Sequence, residues 1–77
     1  MPNDAKSRFR NALERGLQER KWSLADLERA SGLGYSTLRR YRLGERTPNV
    51  EDLEKIARAF DVSAELLLGA LSPEAVP

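Results

Sequence analysis

The sequence predicts a small all-α domain built from five short helices. Leu, Ala, Glu and Arg are the most frequent residues, and all four favour helix. β-Branched residues are few, and no alternating run of strand length occurs. Apolar residues instead recur at helical spacing in segments that capping residues, glycine and proline separate. These observations favour helices packed around one core.

The first helix is predicted over about 7–20, because Phe9, Leu13 and Leu17 recur at i, i+4 and i+8. Such spacing places the three side chains on one face of a helix, next to Ala12. Trp22 follows the helix directly and is expected to fill the core.

The second helix is predicted to begin after Ser23, a favourable N-cap residue. Asp26 follows three positions later, as a capping box requires. Leu24, Leu27 and Ala30 are expected to supply the buried side. The helix should end at Gly32, since glycine adopts the left-handed conformation that closes many helices.

The third helix is predicted to begin near Gly34 and to end before Gly44, with Leu38 and Tyr41 pointing inward. Continuation past Thr47 is excluded, because the residue before a proline avoids the α region.

The fourth helix is predicted to follow Asn49, a strong N-cap residue, and a turn at 61–63 ends it. Its apolar stripe comprises Val50, Leu53, Ile56, Ala57 and Phe60. Ser63 then caps a fifth helix. The predicted organisation is therefore a flexible segment at 1–6, one domain over 7–71 and a flexible tail over 72–77.

Length and composition restrict the function. A chain of 77 residues buries only about 60% of its unfolded surface, so its core is small. Without Cys or His, disulfides and the usual zinc or haem ligands are absent, and we expect no cofactor, metal site or catalytic residue. No stretch approaches the roughly 20 apolar residues that span a bilayer, and residues 1–10 do not resemble a signal peptide. We expect a cytoplasmic protein.

Charge is unevenly distributed along the chain. Residues 1–48 carry eleven basic and six acidic side chains, or +5, whereas residues 49–77 carry two and six, or −4. A basic first part is typical of a surface that binds a polyanion such as nucleic acid. Two ordinary solvated surfaces are the alternative interpretation.

The segment Gly32-Leu33-Gly34 joins the second and third helices, and such a tight corner is typical of a helix-turn-helix. The runs "TLRRYRLGERTP" and "LEKIARAFDVSAELLL" strengthen that interpretation. From Leu13 to about Leu68 the chain resembles the Cro/cI-like, phage-repressor family of helix-turn-helix DNA-binding domains. That resemblance implies a five-helix bundle whose third helix lies in the major groove of double-stranded DNA.

The resemblance implies base contacts from Tyr35, Ser36, Arg39 and Arg40. An arginine at such a position can make a bidentate hydrogen-bonded contact to guanine. Contacts to phosphate, which hold register without reading sequence, are expected from Arg10, Lys21, Thr37, Arg42 and Arg46.

The chain departs from the family pattern at three positions. Leu24 stands where the family often has Gln, and a leucine cannot make the hydrogen bond to DNA. Glu28 replaces a common Ala, and it must extend outward or pair with an arginine. Gly34 stands where Ser or Thr would cap the third helix better.

The C-terminal part is more apolar than one short helix needs, with Leu66, Leu67, Leu68, Leu71 and Val76. Some of these side chains should pack under the first helix, and the surplus suggests a self-association patch of Leu67, Leu68, Leu71 and Val76. Two-fold dimers are common in the family. We therefore expect a homodimer that binds an inverted repeat, as a small regulator of transcription, and no small-molecule substrate.

Glu51, Asp52 and Glu54 could imitate a metal cluster, but they read more simply as a solvated face at a helix N-terminus. Together with Leu24 and Glu28, this acidic face favours a second function. The same fold could serve as a protein-interaction module, such as an antirepressor, an antitoxin or the partner in a switch.

Overall fold

The structure is a computed structural model that describes the backbone of residues 5–71 and the side chains of residues 6–67. The predicted all-α fold is confirmed: the described chain contains five α-helices and no strand. The helices are α1 (Ala5–Arg20), α2 (Leu24–Ser31), α3 (Tyr35–Arg42), α4 (Val50–Phe60) and α5 (Ala64–Leu71).

The N-terminal helix begins at Ala5, two residues before the predicted start at Ser7. Serine is a good N-cap, but Ala5 and Lys6 are better helix formers and extend the helix by about half a turn. The predicted tail at 72–77 lies outside the described residues, as does the stretch 1–4.

One apolar core joins the helices. Its buried members come from all five elements and from the α2–α3 corner, and they are Phe9, Leu13, Leu17, Leu24, Leu27, Leu33, Leu38, Tyr41, Leu53, Ile56, Ala57, Phe60 and Leu67. The predicted helical stripes are thereby confirmed for α1 and α3. In α2, Leu24 and Leu27 are buried as predicted, but the prediction for Ala30 is wrong, because this residue in the last turn is exposed. In α4 one member is not buried, since Val50 is 65% exposed.

The predicted helix caps are also confirmed. Ser23 accepts a hydrogen bond from the Asp26 backbone N–H, and Asp26 accepts one from the Ser23 N–H, which completes the capping box. Asn49 Oδ1 accepts from the Asp52 N–H at 2.7 Å. Gly32 ends α2 with φ of 79°, a conformation that glycine adopts at little cost.

Two helices end on residues whose left-handed conformation the sequence did not indicate. Lys21 (φ 55°) follows α1 and Asp61 (φ 58°) follows α4. At each end, paired backbone hydrogen bonds close the last turn: from Lys21 N–H to the Gln18 carbonyl and from Trp22 N–H to the Leu17 carbonyl, for example. This pattern is the Schellman motif, which satisfies carbonyls that would otherwise lack donors.

Helices α1 and α4 approach closely at Gly16. A Cβ atom on Gly16 would lie 2.6 Å from the Phe60 ring, so only glycine leaves room for the aromatic side chain. Arg20 secures the contact, because its guanidinium lies 4.5 Å from the Phe60 ring centroid and donates to the Phe60 carbonyl. Trp22 packs against the same ring, with 5.8 Å between centroids, as a partly buried member of the core.

The last helix corrects one predicted interface residue. Leu67 is only 6% exposed and packs into the core of its own subunit, so it offers almost no surface to a second subunit. Leu66, the preceding residue, is 67% exposed instead. Leu68, Leu71 and Val76, the other members of the predicted patch, lie outside the described side chains.

The packing leaves one side of α3 free. Helix α1 contacts α3 and α5, and α2 contacts α3 and α4. The Phe9 and Tyr41 rings meet edge to face, 6.0 Å apart, and join α1 to the inner side of α3. None of the described helices is both long enough and apolar enough to cross a bilayer.

Candidate nucleic-acid interface

The corner between α2 and α3 has the geometry of a helix-turn-helix. Gly32 turns the chain out of α2, and Leu33 is buried between the helices. The Leu33 N–H donates to Ser31 Oγ at 3.1 Å, which stabilises the short turn. Gly34 is extended (φ −66°, ψ 149°) and is the N-cap residue of α3. The corner between the two helices therefore consists of only three residues.

Burial divides α3 into two faces. Leu38 and Tyr41 are buried, whereas the four predicted base-contacting residues are exposed: Tyr35, Ser36, Arg39 and Arg40. Their spacing of i, i+1, i+4 and i+5 places them on one outward face of the helix. Within the described chain, the guanidinium groups of Arg39 and Arg40 have no ion-pair or hydrogen-bond partner. The base contacts themselves stay a prediction.

Sequence reasoning missed one residue of this face. Leu43 follows Arg39 by four positions, keeps a helical conformation at the end of α3 and is 51% exposed. It therefore extends the outward face by one turn with an apolar side chain, next to the arginines. The spacing of four residues from Tyr35 to Arg39, continued to Leu43, is the sequence signal that indicates this residue.

The residues predicted to contact phosphate have different surroundings. Arg10 is exposed on α1 and extends along the end of α3, where its Cδ would lie 3.5 Å from a Cβ on Gly44. Lys21 is exposed in the turn after α1, and Arg46 is exposed in the loop after α3. Thr37 is half-buried. Their phosphate contacts stay predictions.

Arg42 differs from the other cations because a carboxylate already holds it. Its Nε donates to Glu14 Oε1 at 2.7 Å, across the contact between α3 and α1. The pair is partly exposed, with 45% of the arginine side chain and 37% of the glutamate side chain accessible. This partner could not be predicted from the sequence, because the two residues are 28 positions apart.

Tyr41 fixes the inner side of α3 to the beginning of α4. Its hydroxyl donates to Asp52 Oδ2 at 2.6 Å. Burial and the neighbouring carboxylate raise the pKa of Tyr41 to about 12. The interpretation of Asp52 as part of a solvated acidic face is thus corrected, because Asp52 is half-buried and accepts this hydrogen bond.

Two departures from the family pattern have clear outcomes. Leu24 is buried in the core, so this position has no group that could bond DNA through its side chain. Glu28 is half-buried on α2.

The capping box at the start of α2 affects the ionisation of Asp26. The hydrogen bond from the Ser23 N–H lowers the pKa of Asp26 below its usual value, which favours the charged capping group.

The acidic half of the chain leaves two carboxylates of α4 on the surface, Glu51 and Glu54. Glu51 lies 3.6 Å from Lys55 Nζ, one turn along the helix. Within residues 5–71, no group of three or more acidic side chains is arranged to hold a metal ion.

Comparison with known proteins gives one match. A family model described as Helix-turn-helix (HTH_3) matches residues 13–67, which include the whole α2–α3 corner. No curated protein and no solved structure matches the chain.

Proposed function

The chain belongs to the Cro/cI-like helix-turn-helix family of DNA-binding regulators, and on that basis we propose that it is a sequence-specific repressor of transcription. In this proposal α3 lies in the major groove of double-stranded DNA, in the cytoplasm. Tyr35, Ser36, Arg39 and Arg40 contact bases, and the surrounding cations contact phosphate. The proposal includes no catalytic step and no cofactor.

One observation carries the proposal: the outward face of α3 holds two arginines without partners among the described residues, next to an exposed tyrosine. Here Arg39 and Arg40 keep all their donors free, as the bidentate contact to guanine O6 and N7 requires. Tyr35, 48% exposed, lies one turn earlier, where its ring can pack on a thymine methyl.

The proposal includes a two-fold dimer on an inverted repeat. Its support is the exposed Leu66 beside a groove of about 280 Å³ between α1 and α5. The floor of this apolar groove includes Ala12, Gly16, Phe60 and Val62, and its rim carries the charged residues Arg15, Glu19 and Arg20. A groove of this kind on the far side of α1 from α3 suits contact between subunits without covering the proposed DNA face. Half-sites would then lie about one helical turn of DNA apart, roughly 10 bp centre to centre.

A protein-interaction module is the second candidate function. The observation that favours it is Val50, which is 65% exposed and adjoins the exposed carboxylate of Glu51. An apolar and acidic surface of this kind would suit a protein partner rather than DNA. Salt distinguishes the two functions, because DNA binding weakens steeply as salt rises and an apolar protein interface does not.

The direct test is a selection of binding sites from random duplex DNA at two salt concentrations. An enriched inverted repeat is the expected result, with weaker recovery at the higher salt. If no sequence is enriched at a salt low enough for nonspecific binding, the proposed repressor function is wrong and the protein-interaction module is favoured.

A further inference from the structure

The ion pair between Glu14 and Arg42 lies at the edge of the proposed DNA interface. Arg42 occupies the last turn of α3, between the exposed arginines of the outward face and the loop that carries Arg46. Arg10 extends along the same end of α3. Arg10 and Glu14 are one turn apart on α1, so both face this end of the recognition helix. Glu14 is therefore a carboxylate placed among cations.

We propose that Glu14 restrains the affinity for DNA by occupying and neutralising Arg42. The proposal rests on the DNA-binding function proposed above. A phosphate that approaches this end of α3 must displace Glu14 from Arg42 or accept the glutamate as a neighbour of like charge. Because the pair is partly exposed, it is exchangeable, and its competition with phosphate affects binding more than folding.

The consequence for recognition concerns selectivity. Phosphate contacts strengthen binding to every duplex alike, whereas base contacts distinguish one sequence from another. By cancelling one phosphate-binding charge, Glu14 lowers the sequence-independent part of the affinity and leaves Arg39 and Arg40 free to read bases. Glu14 is thus a positioning residue that acts through Arg42 and touches no base.

The test compares Glu14→Gln with Glu54→Gln. Both changes remove one negative charge, but Glu54 is exposed on α4 beside Arg58 and Asp61, outside the groove proposed for the dimer. For Glu14→Gln we expect tighter binding to operator and unrelated duplex alike, on the order of fivefold at low salt, which is the Coulomb effect of one charge about 4 Å away in water. The slope of log Kobs against log salt should steepen by about 0.9, one phosphate contact. Glu54→Gln should leave both quantities near wild type.

A second variant shows whether Glu14 acts through Arg42. We expect Arg42→Gln to change DNA affinity by less than twofold in the wild-type chain and by about fivefold in the Glu14→Gln chain, where a freed Arg42 faces phosphate. A purely structural ion pair would give no such coupling. Equal effects of Arg42→Gln in the two chains, or equal effects of Glu14→Gln and Glu54→Gln, would overturn the proposal.

Other outcomes are also decisive. Weaker DNA binding by Glu14→Gln would mean that Glu14 holds Arg42 in a productive position, contrary to the proposal. If Glu14→Gln fails to fold in a thermal scan, the wild-type chain still provides a test, because an occupied Arg42 predicts that Arg42→Gln weakens binding less than Arg46→Gln does. Wild-type protein that binds no duplex at any salt would instead refute the DNA-binding function itself.

Discussion

In the proposed complex, single residues of α3 and its surroundings would either contact bases or contact phosphate. Arg40 is exposed on the outward face of α3, whereas Arg46 lies in the loop that follows. Only a side chain that reaches the base edges can discriminate between sequences, because every phosphate is alike. The two arginines should therefore respond differently to the same substitution.

We expect Arg40→Ala to weaken specific binding by about 1–3 kcal/mol and to relax the preference at one position of each half-site. Arg46→Ala should weaken binding to all sequences similarly and should flatten the salt slope by about one unit. Titrations of operator and unrelated duplexes over a range of salt provide the measurement. If the two variants behave alike, the division into base-reading and phosphate-binding residues is wrong.

Gly16 shows how one residue limits the packing of two helices. Alanine normally favours a helix over glycine by about 1 kcal/mol. Here the added methyl group would meet the Phe60 ring at 2.6 Å, and Arg20 and Trp22 hold that ring in place. The ring therefore has little freedom to move aside.

We expect Gly16→Ala to lower the free energy of unfolding by about 1–2 kcal/mol, since overpacking outweighs the gain in helix propensity. Chemical denaturation provides the measurement. The matched test repeats the change in a Phe60→Leu chain, where the smaller side chain makes room. There Gly16→Ala should cost less than in the wild-type chain, and an equal cost would show that Phe60 is not the cause.

At the scale of helices, the α3–α4 junction depends on one hydrogen bond. Tyr41 on α3 donates to Asp52, and the Asp52 N–H in turn donates to the cap residue Asn49. The side chains on α3 can be positioned for DNA only if the rest of the domain holds α3 in a fixed orientation. This bond therefore connects the stability of the domain with the orientation of its recognition helix.

Ionisation of Tyr41 should make that stability depend on pH. The pKa is raised from an ordinary 10 to about 12 in the folded chain, so the contribution is complete below pH 10 and is lost as pH rises towards 12. We expect Tyr41→Phe to cost about 1–2 kcal/mol at neutral pH. The difference in unfolding free energy between the variant and the wild-type chain should shrink between pH 10 and 12.

Tyr35→Phe is the matched control, because the Tyr35 side chain is exposed on the same helix. Its unfolding free energy should follow that of the wild-type chain across the whole pH range. A Tyr41→Phe difference that does not change above pH 10 would contradict the assignment of the hydrogen bond.

At the scale of the whole molecule, the two sides of α1 have different surroundings. One side faces the end of α3 through Arg10 and Glu14, and the other side faces α5 across the apolar groove. The basic part of the chain forms the first side, and Leu66 is exposed on the second. This arrangement would allow one surface to bind DNA while another binds a second subunit.

We expect Leu66→Gln to weaken dimerisation without lowering stability, because the side chain is 67% exposed in the single subunit. Val50→Gln is the matched control, since Val50 is a similarly exposed apolar residue on α4. Sedimentation at tens of micromolar, with and without operator DNA, measures the mass. A wild-type protein that remains a monomer in both conditions would rule out the proposed dimer.

Features that depend on neighbours within about four residues could be predicted from the amino-acid sequence. The Ser23 and Asn49 caps, the glycine that ends α2 and the outward placement of Arg39 and Arg40 all follow from local hydrogen bonding and helical period. The family pattern could be recognised in the sequence for the same reason, because its glycines, caps and apolar positions lie at short, fixed spacings.

Contacts between distant segments, in contrast, became evident only in the folded structure. It paired Arg42 with Glu14 across 28 positions and Arg20 with the Phe60 carbonyl across 40. It also buried Leu67 rather than Leu66. Each outcome depends on how helices rotate and cross, and that arrangement is set by packing of the whole core. Helical periodicity identifies an apolar face, but not the residue on the opposing helix that will meet it.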